Sequence, residues 1–100
     1  MTNEDEKIVA DYMNWHYAEH EGIYYYDWDG RRQRNLDLND AALCVAEMQK
    51  RGDYFVFEMY AIGLFKSIGY RKVTAKFIPW LFNRENFFGA MAAWLKEGKK

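Results

Sequence analysis

The string His16-Tyr-Ala-Glu-His20 holds the side chains best suited to bond-breaking chemistry. On a helix, two histidines at i and i+4 meet on one face with Glu19 beside them, which spells the inverted zincin order H-x-x-E-H. Zinc hydrolysis there needs His16 and His20 as ligands and a third ligand from Glu58, Glu85 or Glu97. It also needs an open water position and Glu19 as general base. Five residues of such loose specificity recur by chance, and His16 beside an apolar stripe fits a packed ring bonded to a neighbour. Structural or solvated histidines are the preferred reading, with a small zinc hydrolase on His16 and His20 as the remote alternative. Two histidines close together leave nucleophilic triads little to work with. Cys44 is the single cysteine, so an internal disulfide and a thiolate cluster are excluded, and it reads as a small packed side chain. No cofactor is expected.

Binding chemistry is better represented. Tyr24, Tyr25, Tyr26 and Trp28 supply large rigid contact area of the kind that dominates interfaces, as do Tyr54 and Tyr60. Arg31, Arg32 and Arg34 follow at once, and basic residues beside aromatics can hold single-stranded nucleic acid through phosphates and stacked bases. Asp27, Asp29 and Asp37 flank that stretch and offset its charge, so a solvated turn with local ion pairs is preferred. Lys72 and Lys76, alternating with Thr74, carry the same two readings: a nucleic-acid face, or charges that keep an edge strand from pairing with other chains.

These residues need elements to position them. A first helix is expected over residues 3–20, capped at Thr2 or Asn3, with Ile8, Tyr12 and Trp15 on its apolar stripe and Gly22 as its stop. Ile23–Trp28 reads as an aromatic strand before an Asp29-Gly30 turn, and residues 31–35 as a polar connector. A second helix is expected from Leu38 to Arg51, capped by Asp37 or Asn39 and closed by Gly52, with Leu38, Ala41, Ala42, Val45 and Met48 inward. Tyr54–Tyr60 and Tyr70–Ile78 alternate apolar and polar residues and read as two central strands around Gly63 and Gly69, ended by Pro79. Asn83 caps a last helix whose stripe is Phe87, Met91, Trp94 and Leu95. The sum is one α+β domain over residues 1–100 in the order α-β-α-β-β-α. About three antiparallel strands pack with three helices, an α/β/α layered sandwich.

Three stretches carry a family resemblance: Ile8–Trp15, Leu36–Met48 and the alanine-rich Asn86–Leu95. In that order, with strands between the second and third, the chain resembles the phage ABA-sandwich proteins. Its Pro79 lies well before the closing helix, and its cysteine sits in the second helix rather than the last. The resemblance implies a layered fold and a phage or prophage origin, and it transfers no catalytic residue.

Composition bounds the rest. One hundred residues, half hydrophobic and 19% aromatic, can bury roughly 65% of the unfolded surface, and a net charge of −1 draws neither nucleic acid nor acidic membranes. Residues 1–50 carry eleven acids and five bases, residues 51–100 four and nine, an asymmetry expected to cancel on folding. No signal peptide or spanning segment is read, so a cytoplasmic place in a bacterial host is expected. The expectation is a non-enzymatic module that binds another protein, a host factor among the candidates. Its surface is Tyr24, Tyr25, Tyr26, Trp28, Arg31, Arg32, Tyr54 and Tyr60, and nucleic-acid binding is the alternative.

Overall fold

The computed structural model describes the backbone of residues 3–20, 23–28, 31–33, 36–69 and 75–98, and the side chains of residues 4–15, 36–69 and 75–97. Helix ends set its plan. Helix α1, Asn3–Met13, opens with Glu4, Asp5 and Glu6 at its positive end. It was expected to run to residue 20, but Asn14 turns left-handed at φ 60°. The Trp15 N–H then donates to Ala10 O at 2.9 Å and the Asn14 N–H to Asp11 O at 3.2 Å. Those two bonds close a Schellman motif, with asparagine in the position glycine usually takes.

Three short antiparallel strands follow: β1, His16–His20; β2, Ile23–Trp28; and β3, Arg31–Gln33. His16 lies opposite Asp27, His20 opposite Ile23, and Asp27 opposite Arg32. The aromatic strand stands at its expected bounds, whereas the helical reading of 16–20 and the connector reading of 31–33 are corrected. Gly22 and the Asp29-Gly30 turn lie outside the described residues. The strands pack chiefly on one another and, through β1, on α1.

Helix α2, Leu38–Arg51, has the bounds its caps predict. The Asp37 carboxylate accepts from the Asp40 N–H and the Asp40 carboxylate from the Asp37 N–H, both at 3.0 Å, a reciprocal capping box. Gly52, at φ 77°, takes the left-handed exit that a side chain would disfavour. The buried stripe is Ala41, Cys44 and Met48 with Asp40, so the helix is rotated from the expected one: Leu38 and Ala42 face water.

The largest correction follows. Residues expected as a strand form helix α3, Tyr54–Ser67, and Phe77–Leu81 form a short helix α4. Tyr70–Thr74 lie outside the described residues, and 75–76 are turn. Alternation at Phe55, Phe57 and Met59 suggested a period of two. The longer period Phe57, Ala61, Phe65 prevails, because those three side chains are fully buried. Pro79 falls in the first turn of α4, where a missing N–H removes no intrahelical bond. Helix α5, Arg84–Ala93, is capped by Asn83, whose side-chain oxygen accepts from the Glu85 and Asn86 N–H groups at 3.0 and 3.3 Å. A wider π-helical turn, Trp94–Gly98, continues it.

Helix α5 packs against α1, α2, α3 and α4 and forms the axis of the core. The expected α+β sandwich is therefore overturned. Among the described residues the order is α-β-β-β-α-α-α-α, the packed body is helical, and Tyr54–Tyr60, the first of the strands that should have centred it, is itself helix. One polar clamp ties the entry of α2 to that body. Arg84 donates to the Leu36 carbonyl and, from Nη2, to Glu6 at 3.4 Å. Burial pushes the Glu6 carboxyl up against the downward pull of Arg84.

Helix and strand make opposite predictions for two phenylalanines that a strand would place on one face. Phe57→Ala should cost about 3–5 kcal/mol in urea unfolding, whereas Phe55→Ala should stay within about 0.5 kcal/mol. Equal losses at both positions would point back to a strand.

Candidate protein-docking face

Helix α3 is apolar on two opposite sides. Inward, Phe57 meets Phe87 at 5.4 Å between ring centroids and Trp94 edge-on at 5.6 Å. Phe65 meets Phe77 and Trp80, both at 5.3 Å. Outward, Phe55 is 71% exposed, Val56 51% and Met59 52%. At 100° per residue, half-buried Ile62, exposed Gly63 and exposed Lys66 continue that face along the helix. Scattered exposed apolar residues are ordinary, but a continuous stripe opposite a buried one marks an interaction surface.

Helix α3 is fastened at its start and at its middle. The Tyr12 hydroxyl donates to the Asp53 carboxylate at 2.8 Å, and the Asp53 carbonyl accepts the Phe57 N–H at 3.0 Å. Arg51 lies 4.2 Å over the Tyr12 ring while its Nε donates to Glu47 at 2.7 Å. At mid-helix, the Tyr60 hydroxyl donates to Glu97 at 3.3 Å, on the π-helical turn. Burial, and then the Asp53 carboxylate, push the Tyr12 hydroxyl well above its ordinary range.

Of the residues expected to bind, only Tyr54 and Tyr60 have described side chains. Tyr54 and Tyr60 sit on opposite flanks of α3, each half-buried against the core rather than on the outward face of a strand. The side chains of Tyr24, Tyr25, Tyr26, Trp28, Arg31 and Arg32 lie outside the described residues, as do Arg34 and Lys72. Lys76 is exposed just before α4. His16 and His20 open and close strand β1 instead of sharing a helix face. Their Cα atoms are thus about 13 Å apart, against about 6 Å for i and i+4 on a helix. Among the described residues no group of three His, Cys, Asp or Glu side chains could hold a metal ion. Cys44 is fully buried, and burial pushes its thiol up, away from a reactive thiolate.

A cleft of about 240 Å³ opens between the end of α3, α4 and α5, with Leu64, Ile68, Trp80 and Ala90 among its walls. Of its polar neighbours, Ser67 and Asn86 serve the protein's own backbone and the Glu85 carboxylate pairs with Arg84. Ser67 donates to Leu64 O at 2.6 Å, and the Asn86 amide to Trp80 O at 2.9 Å. That leaves a mostly apolar dimple without groups converging on a reacting atom. The exposed apolar residues of α3 escaped sequence reasoning because a strand reading put Phe55 and Met59 in the core beside Phe57.

A helical body with one two-sided apolar helix is thus the class that fold and site define. No known protein family matches the sequence, and no curated protein or solved structure matches it. Among the described residues no helix is long and apolar enough to cross a membrane.

Because the folded state raises the Tyr12 pKa, that group's contribution to stability is full below its unfolded value of about 10 and declines as pH rises beyond it. Tyr12→Phe should lower stability by about 1 kcal/mol at neutral pH and flatten the alkaline fall of the urea midpoint. Tyr54 and Tyr60, also pushed up chiefly by burial, should leave a residual slope. An unchanged alkaline profile in the variant would contradict this account.

Proposed function

We propose that this chain is a non-enzymatic protein-binding module working in the cytoplasm, and that its docking face is the outer side of α3. The observation that carries the reading is the exposure of Phe55, Val56 and Met59 opposite the fully buried Phe57, Ala61 and Phe65 on one anchored helix. Full burial of an apolar side chain of this size is worth about 1.5–3 kcal/mol, so covering what the three leave exposed gains about 3–5 kcal/mol. Association costs about 4–15 kcal/mol in lost freedom. The face therefore needs a partner that brings comparable apolar surface of its own, which favours a protein over a small or strongly hydrated ligand. Rigid anchoring at Asp53 and Tyr60 lowers the ordering cost on this side of the contact. The reading takes nothing from the phage-protein resemblance, whose layered architecture this fold does not share.

A photo-crosslinking residue in place of Val56 tests the face directly. It should give a discrete protein adduct in cells of the source organism, and the adduct should fade when Phe55→Glu or Met59→Glu is added. The same crosslinker at Glu47, outside the face, should give none. Adducts of equal yield at positions 47 and 56, or none at 56, would overturn the reading.

A further inference from the structure

We infer that the occupant of the α3 face is a second copy of this chain, whose own α3 packs antiparallel against it about a twofold axis beside Ile62. The inference rests on the docking reading above and names the partner.

Charge carries it first. Glu58 lies four residues before Ile62 and Lys66 four residues after it. A twofold axis across an antiparallel pair sets position 62−n of one helix level with 62+n of the other. Glu58 of each copy then meets Lys66 of the other, and the opposed helix dipoles also attract. A parallel pair would instead set like beside like.

Shape supplies an independent observation. Among the described residues nothing lies within 4 Å of where a Cβ would stand on Gly63, so no contact described there requires glycine. A mid-helix glycine weakens its own helix relative to alanine. In the antiparallel pair Gly63, one position from the axis, leaves a notch beside the point where Ile62 meets Ile62. The apolar stripe then runs unbroken across the seam, and the single charge on the face, Lys66, meets an acid at its edge.

Two 14-residue helices, each about 21 Å long, form a seam smaller than a standard interface, so the dimer should be a micromolar one. Sedimentation of the full chain across a concentration series, with circular dichroism to confirm folding, tests it. The native protein should be dimeric by about 100 µM, and Met59→Glu should be monomeric there. Glu58→Lys alone and Lys66→Glu alone should each weaken association by about five- to tenfold, because each places like charges together twice per dimer. Combining them should restore it to within about threefold of native, a rescue that a structural role for either residue would not produce. A native chain monomeric at about 100 µM, or a double variant no tighter than the singles, overturns the twofold pairing. If the crosslinker at position 56 then captures a different protein, the docking face stands and only its occupant is wrong. If it captures nothing, both readings fall.

Discussion

The ring of Phe57 touches Phe87 and Trp94, and Trp94 in turn meets Tyr12 edge-on at 5.8 Å. One side chain of α3 is thus locked to α5 and, through a second ring, to α1. Such contacts favour tilted and edge-on geometries, so they constrain orientation as well as separation. With Phe65 held between Phe77 and Trp80, α3 has no freedom to roll about its axis. The outward direction of Phe55, Val56 and Met59 follows from that lock. The exposed apolar face of α3 is a consequence of how the core is packed.

Polar groups finish what the rings begin, and most of them act where helices start or stop. Asp53 serves three elements at once. Its N–H donates to Met48 O at 2.7 Å and closes α2, its carbonyl starts α3, and its carboxylate receives the Tyr12 hydroxyl from α1. Arg84 does the comparable task at the other end of α2, between Leu36 and Glu6. The proposed docking face thus lies on a helix already fixed in place, with little conformational entropy left to lose on this side of a contact.

Local chemistry was legible wherever a single residue determines it. Asp37, Gly52 and Asn83 mark their helix ends as read, because capping depends on a side chain and its own neighbouring N–H groups. Burial of Cys44 was legible too, from its place beside Val45. Asn14 was passed over because it resembles any helical polar residue until its backbone turns left-handed. The docking face was hidden by the apolar wealth of α3 itself. When nearly every position from Phe55 to Phe65 is hydrophobic, periods of two and of 3.6 both find matches.

The amino-acid order alone determined where α2 begins and ends and where α5 begins, and which segments hold core material. It left undecided which side of Tyr54–Ser67 faces inward, and even that the stretch coils at all. Packing against α5 decided both. Rings at Phe57, Ala61-spaced Phe65 and the facing Phe87 and Trp94 come together only when chain far apart in sequence is folded. Propensity is a weak prior that such long-range contacts override.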